Sequence, residues 1–231
     1  MLLELTEVLR CPREHEESFV VCVAFQSKGR HVVRGIVGCP HCQAEFPIRD
    51  GVLDLSRALG PEAGGAEPGE GVRSPGAEAS THGAQPGVPA PLPERQGAAA
   101  ESLTAEALAT FLDLRGPGGY VLLAGGATRL AAALAALVPG VHVVAVNAPP
   151  GVDPAADCSW VVSPERLPLK AAQVRGVALG ADCAAEPWLG EAARVLLRGL
   201  RVVVEDERAS PDGISELARG AGVYVGAKRD R

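Results

Sequence analysis

Apolar residues follow different rhythms along this chain, and the changes of rhythm mark its organisation. Residues 1 to about 58 contain FVVCVAF (19–25) and HVVRGIVG (31–38), in which β-branched and aromatic residues alternate or cluster as in short strands. Residues 60–98 hold almost no Ile, Leu, Val or aromatic residue. Such a stretch cannot bury enough apolar area to offset chain entropy, which predicts a disordered linker. From 101 onward the period alternates. Strands are predicted at Tyr120–Ala124, Val141–Val146, Ser159–Val162, Val174–Leu179, Leu200–Glu205 and Val223–Ala227, with helices at Thr128–Leu137, Glu186–Leu197 and Gly213–Ala221. Ser102 or Thr104 can cap an earlier helix carrying Leu108, Phe111 and Leu112. Continuous apolar strands separated by helices predict a parallel sheet buried on both faces.

Composition narrows the function classes. The 28 Gly and 19 Pro among 231 residues fall short of the level that would leave the whole chain unfolded. Net charge is -6, and the 22 Lys and Arg are outnumbered by 28 Asp and Glu, so there is no strong nucleic-acid signal. The start MLLELTEVLR lacks a basic region and a long apolar run, and Leu130–Val146 is broken by Pro139-Gly140 and His142. A cytoplasmic protein without a membrane segment is expected. The six cysteines agree: four fall within the first 42 residues and include a C-x-x-C pair, which in a reducing compartment reads as metal rather than disulfide.

The strongest local chemistry is Cys39-Pro40-His41-Cys42, where two thiolates on one tight turn suit half of a tetrahedral zinc site. Cys11 supplies a third ligand. The fourth is His15, in a compact Cys11-Pro12-Arg13-Glu14-His15 knuckle, or Cys22, which lies mid-strand among valines and reads as a small buried hydrophobe. His15 is the favoured choice, giving the set Cys11, His15, Cys39 and Cys42, and His41 points outward. Four protein ligands close the shell, so the zinc is structural and folds a segment too small to hold itself.

These residues also carry a resemblance. Leu9-Arg10-Cys11-Pro12, followed by Gly35-Ile-Val-Gly-Cys39-Pro-His-Cys42-Gln-Ala-Glu-Phe-Pro-Ile-Arg-Asp-Gly51-Val-Leu-Asp-Leu55, resembles the zinc ribbon of the tRNA-methyltransferase-112-like family over about the first 56 residues. The resemblance implies an activator-type module whose apolar strand after the zinc, here Phe46, Ile48, Val52 and Leu53, covers a methyltransferase by sheet contact. His15 stands where that family commonly has a second Cys.

The second half has its own likeness. Gly119-Tyr-Val-Leu-Leu-Ala-Gly-Gly-Ala-Thr-Arg-Leu130 occupies a strand-to-helix turn, and Val141–Asn147 forms the next strand with a polar end, the geometry for a nucleotide-like ligand at the carboxyl edge of a parallel sheet. With Pro164–Leu169, Val174–Leu179 and Leu189–Val204 these segments resemble class I S-adenosylmethionine methyltransferases across most of residues 105–228. The resemblance places a cofactor against Gly125, Gly126, Asn147 and Ser163.

The departures fall on that same footprint. Leu123 replaces the acid expected before the turn, Ala127 and Arg129 replace glycines, Asn147 replaces the ribose-binding acid, and Ser163 replaces an adenine-contacting Asp. Asp182 and Cys183 read as a turn acid and a buried thiol. Glu205-Asp206-Glu207-Arg208 reads as a solvated acidic turn, and Trp160 and Trp188 as core.

The expected fold is therefore α/β, a small β-rich zinc ribbon (1–58) and a minimal doubly wound Rossmann-like methyltransferase domain (101–231), joined by a disordered linker (59–100). The expected function is that of a zinc-binding pseudo-methyltransferase with no catalytic residue, acting as a scaffold in RNA or translation-factor modification. Its partner would be a protein, either a methyltransferase or a translation or RNA-modification component. An active S-adenosylmethionine-dependent enzyme with a divergent pocket is the alternative, and docking of a separate methyltransferase in trans is a third reading.

Overall fold

The computed structural model describes residues 1–59 and 103–229. The stretch assigned to a linker, 59–100, lies outside them except for Leu59, whose N–H donates to the Glu45 carbonyl at 2.7 Å. The N-terminal part holds β1 (Val21–Lys28), β2 (His31–Gly38), β3 (Glu45–Arg49) and β4 (Val52–Asp54). The remainder runs α1 (Ala105–Phe111), β5 (Tyr120–Ala124), α2 (Ala131–Leu137), β6 (His142–Val146), β7 (Cys158–Val162), β8 (Val174–Leu179), α3 (Trp188–Val195), β9 (Leu196–Val204), β10 (Ile214–Gly220) and β11 (Val223–Lys228).

Among the described residues, all eleven strands form one sheet, ordered β1-β2-β3-β4-β7-β6-β5-β8-β9-β11-β10. Strands β7, β6, β5, β8 and β9 are mutually parallel, and the chain reverses direction across the sheet between β5 and β8. The ribbon joins this sheet through β4, which pairs parallel to β7 in the register Val52–Trp160, Leu53–Val161, Asp54–Val162.

Alternation along β5 explains the layering. Val121 and Leu123 point into a core with Leu108 of α1, Leu112 at that helix's C-cap and Leu134 of α2, whereas Leu122 and Ala124 point into a core with Leu189, Ala192 and Val195 of α3. This second core also contains Leu5, Leu9, Val37, Phe46, Ile48 and Leu53. Segments 147–157 and 163–173 hold no helix, and the N-terminal segment covers the face that crossover helices cover in a doubly wound sheet. It is anchored by backbone bonds from Arg10 N–H to the Pro168 carbonyl at 2.9 Å and from Lys170 N–H to the Val8 carbonyl at 2.8 Å.

Several predicted boundaries require correction. Gly213–Ala221 is not a helix but the edge strand β10. Ala221 (φ 50°) and Gly222 (φ 77°) form a two-residue turn with both φ positive, which folds β10 back onto β11 with Gly220 opposite Val223. The helix predicted over Glu186–Leu197 is α3, Trp188–Val195, and Leu196 and Leu197 begin β9 instead. The helix predicted from Thr128 starts as a 3-10 turn over Gly125–Leu130 before α2. Of the two proposed caps, Thr104 accepts a hydrogen bond from Ala107 N–H at 3.3 Å, and Ser102 lies outside the described residues.

Candidate functional site

Two sites emerge, one at each predicted position. The first gathers the N-terminal segment and the turn after β2. The ligand atoms of Cys11, His15, Cys39 and Cys42 all lie within 4.8 Å of one another. Cys11 Sγ is 3.6 Å from Cys42 Sγ, and Cys39 Sγ is 3.4 Å from His15 Nε2. A tetrahedral centre with Zn–S near ~2.3 Å and Zn–N near ~2.0 Å sets ligand atoms apart by roughly 3.5–3.8 Å, so the donor set and its spacing fit zinc. His15 Nδ1 contacts the Glu16 carbonyl at 2.7 Å, which fixes the ring and leaves Nε2 for a metal.

The turn itself follows from Gln43, at φ 57°, whose N–H donates to the Cys39 carbonyl at 2.8 Å and so folds the C-x-x-C segment onto itself. Burial disfavours the Cys39 thiolate, but the backbone N–H groups of Cys42 and His41 and the Ser18 hydroxyl outweigh it and bring the pKa down to about 6. Burial pushes the Cys11 thiol up to about 12. His41 is exposed and stacks on His15 with ring centroids 4.5 Å apart. Cys22 packs half-buried against the core.

The second site is the carboxyl edge of β5, β6, β7 and β8. Gly125 takes φ 59°, and a Cβ there would lie 2.4 Å from both carboxylate oxygens of Asp182. Asp182 Oδ1 accepts the Gly126 N–H at 2.8 Å. The turn after β8 thus delivers a carboxylate into the glycine loop. Arg129 lies across the same loop, donating to the Gly126 carbonyl at 2.8 Å and to both Glu205 oxygens at 2.9 and 2.6 Å. That pairing raises the Arg129 pKa.

The other two predicted cofactor residues bind each other. Asn147 Nδ2 donates to the Ser163 carbonyl at 2.6 Å, and Ser163 N–H donates back to Asn147 Oδ1 at 2.8 Å. Ser163 is 1% exposed, and its hydroxyl donates to the Arg166 carbonyl at 2.6 Å. Gly125, Gly126, Asn147 and Ser163 thus stand at the ends of neighbouring strands, as the sequence places them, but their hydrogen-bonding groups face this chain's own partners.

Sequence reasoning missed two roles here. Asp182 is more than a turn acid, because it fills the glycine loop. Glu205 is no solvated acid but the bidentate partner of Arg129. The one available signal was a bulky cation at position 129, where a glycine was expected, which needs an anion nearby. Trp160 is buried in the core as expected, with Nε1 donating to the Ala155 carbonyl at 3.0 Å, and Trp188 is half-buried.

Comparison with known proteins adds a fold-level likeness. No family model matches the sequence. No curated protein matches either. Among solved structures, a complex of the Haloferax volcanii Trm112 methyltransferase activator with a methyltransferase is similar at 14% identity and TM-score 0.43, covering 55% of this chain and 89% of that one. An Aquifex aeolicus SAM-dependent methyltransferase is similar at 15% identity and TM-score 0.39, covering 52% of this chain and 86% of that one. A geranyl diphosphate methyltransferase in complex with SAM matches at 20% identity and TM-score 0.36, with only 43% of this chain and 46% of that one covered. Likenesses this distant carry no argument about activity. Among the described residues, no helix is long and apolar enough to cross a membrane.

Proposed function

We propose that this chain is a non-catalytic, methyltransferase-fold scaffold with an activator-like zinc ribbon built into its sheet. The observation that carries this reading is the self-occupied cofactor edge. Asp182 takes the Gly126 N–H that would meet an anionic ligand group, Arg129 and Glu205 bridge the loop, and Asn147 and Ser163 satisfy one another. A cofactor would have to displace several charge-assisted or paired hydrogen bonds before forming its own.

Zinc at Cys11, His15, Cys39 and Cys42 would be structural. Four protein ligands leave no open position for substrate, and the ion would supply folding energy by tying the N-terminal segment to the turn after β2. Docking of a separate methyltransferase in trans through the post-zinc strand has no free edge to use, because β4 is already paired with β7. The partner of the scaffold is then a component of RNA or translation-factor modification, as the ribbon's resemblance suggests. Isothermal titration of zinc-loaded protein with S-adenosylmethionine and S-adenosylhomocysteine tests the reading. No heat at millimolar ligand is expected. Binding tighter than about 100 µM, or roughly 5.5 kcal/mol, would overturn it and establish a divergent enzyme.

A further inference from the structure

The two ends of the eleven-stranded sheet are guarded unequally. At one end, β10 carries Glu216 and Arg219, which pair at 2.7 Å, and charged side chains of this kind discourage edge-to-edge association. At the other end, β1 pairs with β2 alone among the described residues, and residues 18–27 contain no charge at all. Phe19, Val21, Val23 and Phe25 are 63%, 48%, 55% and 64% exposed, a continuous apolar stripe along the edge. Ile36 and Pro40 extend that surface inward along a groove of 320 Å³. The regular run of the edge ends at a bulge after Ala24.

The sequence around this edge is self-complementary about Cys22. If a second copy lies antiparallel with Cys22 on the twofold axis, Val21 faces Val23 and Phe19 faces Phe25, twice over. The self-complementary run stops there, because Glu16 lies in the bends before β1 and Lys28 lies beyond two shifts of register. Antiparallel pairing across a dyad requires this kind of palindrome, since each strand must complement its own reverse. An unrelated partner strand would not require it.

From this arrangement we infer that β1 is a homodimerisation edge, and that two copies join β1 to β1 into one continuous sheet. This interface is distinct from the β4–β7 junction inside each chain and independent of whether the cofactor edge is active.

Light scattering on the full-length, zinc-loaded chain tests it. The expected mass is about 47 kDa, twice the 23.7 kDa of one chain. Val23→Lys, at a half-exposed position, should give a monomer with unchanged circular dichroism and a melting temperature that no longer rises with protein concentration. Val21→Lys should do the same, because Val21 faces Val23 across the twofold axis and the substitution sets an ammonium against an apolar side chain in both halves. A monomer at about 100 µM would overturn the inference and leave the edge to a different protein. A dimer that survives Val23→Lys would overturn it in favour of another face. So would a dimer that survives Val21→Lys.

Discussion

Replacing Leu5 by Ala tests whether the N-terminal segment is an attachment or part of the sheet's own core. Leu5 is fully buried, and its carbonyl accepts the N–H groups of Val8 at 3.0 Å and Leu9 at 2.9 Å. It shares one core with Leu122, Val144 and Val177 of the parallel strands. Removing three carbons from such a site costs about 2–5 kcal/mol, the transfer energy plus the cavity left behind. Both tryptophans, Trp160 and Trp188, lie in the second half of the chain, and Trp160 stands beside Val52 of β4, so their fluorescence reports that half and its junction with the N-terminal part. With a urea slope of about 2 kcal/mol/M, a loss of ~3 kcal/mol moves the midpoint down by about 1.5 M. The expected result is a single tryptophan transition shifted by that amount and coincident with the far-ultraviolet signal. If the tryptophan transition stays in place while an earlier transition affects only the ellipticity, the two halves unfold separately and the shared-core argument fails.

Other outcomes follow from individual contacts. Zinc should bind at one equivalent per chain, and Cys39→Ser or chelation should lower the tryptophan-detected melting temperature as well as release metal, measured with a chromogenic chelator. His142 is held by burial at a pKa of about 4, below its ordinary 6.5, with Nε2 2.8 Å from Ser159 Oγ. Its folded pKa is depressed, so its contribution is fully present above about pH 6.5 and is lost as pH falls through about 4, by on the order of 2 kcal/mol. His142→Gln should flatten the melting temperature's fall between pH 6.5 and 4.5, and an unchanged slope would refute the assignment. Asp182→Ala strips the acceptor from Gly126 N–H and should cost about 1 kcal/mol in urea unfolding. It should not create S-adenosylmethionine binding, because Asn147 and Ser163 remain paired. Ala221→Asn should raise stability by about 0.5–1 kcal/mol, since Asn accepts the positive φ of the hairpin turn more readily than Ala.

The parallel strands were legible because burial on both faces leaves an unbroken apolar run, as in Val121-Leu122-Leu123-Ala124. Strand β10 was not. Ser215, Glu216, Leu217, Ala218 and Arg219 are mostly good helix formers, and an edge strand exposed on both faces imposes no alternation that could outvote them. The Cys/His cluster could be read because its members come from two compact knuckles with characteristic spacing. The β4–β7 junction could not, since a three-residue strand pairing with one about 100 residues distant leaves no periodic mark. Asp182 and Asn147 illustrate the same limit at the cofactor edge. The replaced positions were visible in the sequence, but which groups took over their hydrogen bonds depends on the spatial adjacency of separate loops.

The pairing of β4 with β7 also sets an order of events during synthesis. At ~5–20 residues per second, the ribosome releases Val52–Asp54 roughly 5–20 s before Cys158–Val162. During that interval Leu53, Phe46 and Ile48 have their neighbours within the ribbon but not the sheet that completes their burial. Long-range closure of this kind slows folding and leaves apolar surface open to nascent-chain binding. The part of the protein made first therefore waits for a strand made about 100 residues later, and a chaperone that occupies the ribbon until β7 emerges would raise the yield of native chains.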